Sequence, residues 1–406
     1  MKNTVRIING LSHIDEKDWN ELAVGEGPFL RYEFLHALEQ SNCCSDDSGW
    51  LPQHLVVESD NTLIAIIPGY LKTHSYGEYV FDHAWANAYH QHGLPYYPKW
   101  IAAIPFTPVT GTRILTTENT HINESLLEQI LTAIQSINNK DISSCHWLFT
   151  NKNTQKILRQ NPNLLTRYSV QFQWHNYRYG CFDDFLNALT SRKRKEIKKT
   201  RNKLVEQGIT YQHLTADDIT DDDINFFVRC YQSTYLKRSG HVGYLNAQFF
   251  HLLRNTMSDN MLLVVASRHQ TPVASALFFY DDTGLYGRYW GALEQISGLH
   301  FGCCYFEGIE FAIKHDLPLF NPGTQGEHKI LRGFEPIYCQ SQHCLYSSPF
   351  QQAVATFLHQ ETQHVAEYFN QAQDVLPFKS EVISTLKTTN ISNPMLESNN
   401  HNENIQ

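Results

Sequence analysis

MLLVVASRHQTPVASALFFYDDTGLYGRYWG, residues 261–291, holds three short apolar runs, Met261–Ala266, Val273–Tyr280 and Leu285–Gly291. Each has strand length and is rich in β-branched or aromatic residues, and the intervening HQTP and DDTG are turn formers, so the stretch reads as an antiparallel meander. Downstream, Phe301, Tyr305, Ile309 and Ile313 recur at helical spacing over about Leu299 to Lys314. Leu317, Leu319 and Phe320 then read as a short buried strand stopped by Asn321, Pro322 and Gly323. Three strands, a helix and a strand form an α+β order, not the alternation of a doubly wound parallel sheet. A last helix is marked from Pro349 to about Gln373, with Ser348 as cap, Pro349 in the first turn and a stripe through Val354, Leu358, Val365 and Phe369.

The strand at Leu317 opens into NPGTQGEHKILRGFEP, in which Glu327, His328, Lys329 and Arg332 fall within six positions between glycines. A loop held by a rigid sheet can aim acid, base and anion-binding groups at a ligand. His328 is the first candidate base because an unperturbed imidazole titrates near neutral pH, and Glu327 is the second. Lys329 and Arg332 suit phosphate or carboxylate, and Gln325 is a further substrate contact. The plainer alternative is a polar surface loop pinned by its own ion pair. Upstream in the meander, Arg288 stands among Tyr286, Tyr289 and Trp290, so that Arg288 and Trp290 either line a cleft or stack inside the core.

Before the meander, Phe182, Phe185, Leu186 and Leu189 mark one short helix and residues from Ser191 to about Gly208 a second. The second carries eight basic residues and one acid between Arg192 and Lys203, a segment charge of +7 in a chain of net −9, which leaves −16 on the remainder. The cations are therefore a local patch on an acidic protein, not a general nucleic-acid-binding character. Arg192, Lys193 and Arg194 occupy the first turn, where positive charge opposes the helix dipole, so an anionic ligand is a better reason for them than helix stability. A solvated helix face is the competing reading.

The chain of 406 residues is too long for one core and divides into two units of roughly 190 residues, here set at 1–175 and 176–385, with a polar, disordered tail over 386–406. Leu55–Glu58 and Leu63–Leu71 suggest paired strands around Ser59-Asp60-Asn61, and Leu126–Ile137 a helix. Between them, His74–Arg113 is dense in Tyr, His, Trp and Pro and suits the wall of a cleft. Tyr76, Glu78 and Asp82 are its candidate contacts to an amine, against the alternative that the carboxylates bond to Tyr hydroxyls or backbone. Nine Cys without zinc spacing, and His90-Gln91-His92 without a third ligand, lead to an expectation of reduced thiols and no metal. The N-terminus lacks an apolar core of signal-peptide length and no run of eighteen apolar residues occurs, so a cytoplasmic protein without a transmembrane segment is expected.

Together, HSYGEYVFDHAWANAYHQHG, PYYPKWIAAIPFTPVTG, SRKRKEIKKTR, LYGRYWGAL and FNPGTQGEHKILRGFEP closely resemble the bacterial FemAB-like proteins described as predicted N-acyltransferases, over roughly Pro28 to Phe378. The resemblance implies tandem GNAT-like domains, each a mixed, largely antiparallel sheet flanked by helices. It further implies acyl or aminoacyl transfer to an amine, with a small-molecule or cell-wall-precursor acceptor in peptidoglycan-related metabolism, no DNA partner and no tightly bound cofactor. The co-substrate implied by the resemblance is acyl-CoA, an acyl carrier protein or aminoacyl-tRNA, and the same resemblance implies that Lys329 lies near the acyl transfer site. One departure concerns the Gly-rich phosphate loop of acetyltransferases, which opens a helix. At that place this chain has Gln295-Ile296-Ser297-Gly298-Leu299-His300-Phe301-Gly302, which does not meet the pattern. A non-catalytic RNA-binding module built on the helix of residues 192–203 is the alternative function.

Overall fold

The computed structural model describes residues 3–117, 119–137, 142–324 and 326–382. Gln325 and the tail from 386 lie outside them. The first half runs β1 (Asn3–Ile8), α1 (Glu16–Leu22), α2 (Tyr32–Gln40), β2 (Trp50–Pro52), β3 (His54–Ser59), β4 (Thr62–Ile67), β5 (Gly69–Lys72), α3 (His83–Gln91), β6 (Lys99–Ala102), β7 (Leu115–Thr116), α4 (Glu124–Gln135), β8 (Ser144–Trp147), α5 (Lys152–Leu158) and β9 (Leu165–His175). In the second half come α6 (Phe182–Ala188), α7 (Ser191–Glu206), β10 (Ile209–Thr215), α8 (Asp221–Ser239), α9 (Ala247–Met257), β11 (Met261–Arg268), β12 (Thr271–Asp281) and β13 (Gly284–Ala292). These are followed by α10 (Leu299–Phe301), a π turn (Gly302–Phe306), α11 (Glu307–Lys314), β14 (Leu319–Asn321), β15 (Glu335–Leu345) and α12 (Ser348–Asp374).

The meander forms as its sequence requires: β11, β12 and β13 pair antiparallel in succession, and His269 and Gln270 take the positive φ of a two-residue hairpin turn. Where one strand was expected over Leu63–Leu71, Pro68 divides it, since a proline cannot donate to a ladder. β4 joins a four-stranded sheet, β1-β3-β4-β7, while β5 joins an eleven-stranded one. Gly69 is required at that division, because a Cβ there would lie 2.3 Å from the Trp100 ring. Helix ends follow the capping rules. Thr220 and Asp223 form a reciprocal box at the start of α8, three aspartates fill its first turn, and Gly240 ends it at φ 71°. α7 has neither a side-chain cap nor an acid in its first turn.

The large sheet has the order β10-β11-β12-β13-β14-β9-β15-β8-β6-β5-β2. All its pairs are antiparallel except β6·β8 and β13·β14, so the architecture is α+β with a mixed sheet and flanking helices. Alternation along β12 serves two cores: Leu277 and Phe279 pack with Phe34, Phe249 and Tyr231, whereas Ala276 and Phe278 pack with Ile309, Phe320 and Phe334. The first core also takes Trp50, Tyr70 and Phe106 from the first half. The sheet itself crosses residue 175, because β9 pairs with both β14 and β15, and β15 pairs in turn with β8. Among the described residues, no helix is long and apolar enough to cross a membrane.

Candidate active site at the parting of two parallel strands

β13 and β14 pair over only two residues each, Leu285 with Phe320 and Tyr286 with Asn321. Beyond Asn321 the chain turns away through Pro322 and Gly323 while β13 continues, and a cavity of about 620 Å³ occupies the opening. Its walls come from the far end of β13, the last turns of α8, His300 and Tyr305 of the broken helix, Pro322, Gly323, Thr324, Gly326, His328 and Lys329 after β14, and Tyr79 of the first half. The helical run is interrupted here by the π turn, and such turns often reshape a helix where it faces a ligand.

A second irregularity aims Arg288. Leu277 faces Tyr289 but Phe278 faces Gly287, so Arg288 is the extra residue of a bulge, which redirects its side chain. Its Nη2 donates to the Phe106 carbonyl at 2.9 Å, across the halves, and its buried Nε has no hydrogen-bond partner. Lys329 is 2% exposed; its Nζ donates to the carbonyls of Gly323 (2.7 Å) and Thr324 (3.1 Å). Burial first, and the Arg288 guanidinium second, bring its pKa down to about 7. A neutral amine has two N–H groups and one lone pair, and two carbonyls to receive the N–H groups leave that lone pair unused. His328 stands at the exposed rim with Nε2 2.8 Å from the Tyr305 hydroxyl. Partial burial, then Arg332 and Lys329, lower its pKa. Burial and the neighbouring His328 push His300 down to about 4. Arg238, Arg288 and Lys329 line the cavity, and among the described residues no Asp or Glu does. An anion would be drawn into it.

Several candidates meet here and others do not. Lys329, His328, Arg288 and Trp290 line the cavity. Arg332 lies just behind the rim, its guanidinium 3.5 Å from the Phe301 ring centroid and bonded to the His328 carbonyl. Glu327 is exposed and turned toward α12, accepting from the Tyr368 hydroxyl at 3.3 Å, so it is not part of the lining. Its ion pair with Lys329, the plainer account of the loop, is absent because the lysine faces carbonyls.

Glu78 and Asp82 are buried with Lys99, whose Nζ bonds Glu78 Oε2 at 2.7 Å and Asp82 Oδ2, and Tyr96 donates to Asp82 at 2.6 Å. The tyrosine-bonded alternative therefore describes Asp82, and neither carboxylate opens to an acceptor. Burial raises Glu78 to about 7 against the opposing Lys99 charge; for Asp82 burial is outweighed by Lys99 and the carboxyl is held low. Tyr76 is 61% exposed and packs beside His74 and His83. Arg192, Lys193 and Arg194 lie on α7 outside the cavity lining; Lys193 pairs with Glu196 and Arg194 bonds Asn187.

Arg238, Tyr79 and His300 went unnoticed as site residues. Arg238 reads as an ordinary cation at a helix C-terminus, and only Gly240 and Gly243 just beyond it hint at a functional turn. The glycines of the 295–302 stretch prove to be packing residues. A Cβ at Gly298 would meet Thr200 of α7 at 3.0 Å, and one at Gly302 the Tyr211 hydroxyl at 2.1 Å. These contacts come from α7 and β10, while Gln295 and Ser297 just before the helix stay exposed.

A family model described as FemAB-like, peptidoglycan biosynthesis/recognition, matches residues 10–380. The chain belongs to the FemAB-like family. Among solved structures it is similar to FemX, with TM-score 0.51 and 9% identity over 87% of this chain and all of that one. It is also similar to the C-terminal domain of a putative lysylphosphatidylglycerol synthetase from Agrobacterium fabrum (TM-score 0.48, 9% identity, 83% and 94% of the two chains). A third is L-PGS from Bacillus licheniformis (0.48, 9%, 87% and 97%). At 9% identity the likeness to FemX is one of fold. No curated protein matches the sequence.

Proposed function

We propose that this protein is an N-acyltransferase that takes an acyl or aminoacyl group from a phosphate-bearing donor, acyl-CoA or aminoacyl-tRNA, and passes it to a primary amine. The observation that carries this reading is the cavity between β13 and β14, with Arg238, Arg288 and Lys329 and, among the described residues, no lining carboxylate. Phosphate would be held by the guanidinium groups of Arg238 and Arg288. Lys329 is the base. In its neutral form the lone pair takes the proton as the amine nitrogen bonds to the acyl carbon and the carbon–sulfur or carbon–oxygen bond of the donor breaks; the departing group recovers a proton. His328, the first candidate from sequence, is more exposed and committed to Tyr305, and is assigned to positioning. Family membership supports acyl transfer and a cell-wall-precursor acceptor, in the cytoplasm where such donors are made.

The two halves support a tandem-domain reading, with one parallel pair bridged by a helix in each: β6·β8 through α4, and β13·β14 through α10–α11. In the first half the matching opening is filled. Gly111 bridges Thr150, and fully buried Arg113 donates to the carbonyls of Leu148, Thr112 and Val109. Chemistry is thus assigned to the second half, within units set at 1–175 and 176–385.

Non-catalytic RNA binding is favoured by one observation: Arg192, Lys195, Lys199 and Lys203, spaced for a single face of α7, are exposed and have no ion pair among the described residues. It predicts steep salt dependence and no turnover. Calorimetric titration with coenzyme A at moderate salt, followed by charged tRNA, tests the proposal. Saturable one-to-one binding of either, weakened by Arg238→Glu, is expected; binding of neither would overturn it.

A further inference from the structure

A second cavity, of about 380 Å³, adjoins the first and shares Tyr79, Thr324 and Gly326 with it. Its electrostatics are opposite in kind. The charged residues in its wall are Arg167 and Glu361, which neutralise one another through two hydrogen bonds, Nε to Oε2 at 2.8 Å and Nη2 to Oε1 at 2.7 Å. Arg167 is held further by the Phe81 carbonyl and the Trp85 ring face, so its guanidinium is engaged by the wall instead of offered to a phosphate. Aromatic and aliphatic area comes from Phe81, Phe149, Tyr168 and Val365, with Gln171, His364 and the hydroxyls of Ser169 and Ser341 as the polar additions.

The shared wall lies beside the transfer chemistry. Thr324, common to both cavities, supplies one of the carbonyls that hold Lys329 Nζ, so a nucleophile beside Thr324 lies next to that amine. Gly326 has φ 104°, and a Cβ there would lie 2.3 Å from the His328 ring, so glycine is required where the two cavities share a wall.

We infer that the second cavity is the acceptor subsite, and that the part of the acceptor it takes is an apolar or aromatic body bearing a primary amine and carrying no phosphate or carboxylate. This rests on the acyltransfer reading above. The acceptor nitrogen adds to the donor's acyl carbon at the shared rim, the donor's carbon–sulfur or carbon–oxygen bond breaks, and the amine proton passes to Lys329. Any phosphate on a longer acceptor stays outside this cavity.

Phenethylamine is the probe, with 3-phenylpropionate as its anionic counterpart and inorganic pyrophosphate reporting on the first cavity, all by ligand-observed NMR. Wild-type protein is expected to bind phenethylamine in the millimolar range and 3-phenylpropionate at least tenfold more weakly in the second cavity, with pyrophosphate not displacing the amine. Val365→Trp, on the half-buried face of α12, fills the cavity and weakens phenethylamine binding at least tenfold while pyrophosphate affinity holds. Ser169→Trp, at an exposed strand position, gives the same result if the first variant fails to fold. No binding of phenethylamine, binding indifferent to both tryptophans, or one-for-one displacement by pyrophosphate would overturn the inference. Loss of pyrophosphate binding alone would instead remove the donor reading and leave the amine subsite standing.

Discussion

Lys329 is where burial becomes chemistry. A lysine at pKa about 7 is half neutral at working pH, the condition for a general base. The predicted kcat/KM rises with pH through about 7, and Lys329→Met lowers it roughly a hundredfold and removes that acidic limb, the scale of a lost base. A retained limb would assign it to another group, with His328 next in line. Stability carries the same signature with a fixed sign. The folded pKa is depressed below the unfolded value of about 10.4, so between these pH values the unfolded chain binds more protons and Lys329 makes stability rise with pH. Urea titrations at pH 7 and pH 9 should show a smaller rise for Lys329→Met than for wild type. The ion cluster around Lys99 offers a contrast: Glu78 and Asp82 are as buried as Lys329, yet they are closed by their partners and border neither cavity.

Elements decide where that lysine points. β13 brings Gly291 against α8 so closely that a Cβ would fall 1.9 Å from the Cys230 carbonyl oxygen and 2.1 Å from its carbon. Gly291→Ala must therefore push α8 off the sheet, at a cost of about 3 kcal/mol or more, and carry Arg238 out of the cavity. Thermal unfolding should show the loss, and donor binding should fall with it; an unshifted melting temperature would contradict the contact. Much at this scale was legible from periodicity and turn chemistry: the meander, the strand ending at Asn321, α7 and α12. What was hidden depends on partners that a single segment does not name. The bulge that projects Arg288 is set by register against β12. The division at Pro68 depends on which sheet receives each piece, and the close approach of Gly302, where the π turn begins, to Tyr211 of β10 joins segments about ninety positions apart. An uninterrupted helix over Leu299–Lys314 was the natural reading of its apolar stripe, which the extra residue of a π turn displaces.

For the whole molecule, the principal feature is a sheet of eleven strands running through both halves, so that a cavity in the second half draws Tyr79 and the Phe106 carbonyl from the first. Composition showed the length and the polarity contrast but not this sharing of walls, because the contacts join residues nearly two hundred positions apart. The uneven charge is a whole-molecule property as well. Reversing Arg192, Lys193 and Arg194 to Glu should weaken binding of the phosphate-bearing donor severalfold at low salt and much less at high salt, with stability within about 1 kcal/mol of wild type. Unchanged affinity at low salt would leave α7 as a solvated face. The most direct measurement is mass-spectrometric detection of a new amide after incubation with acyl-CoA and aminoacyl-tRNA donors and a panel of primary amines. Wild type should form an amide from one donor class and Lys329→Met about a hundredfold less of it. No amide from either donor, or equal yields from the two proteins, would contradict the assignment of acyl transfer to this cavity.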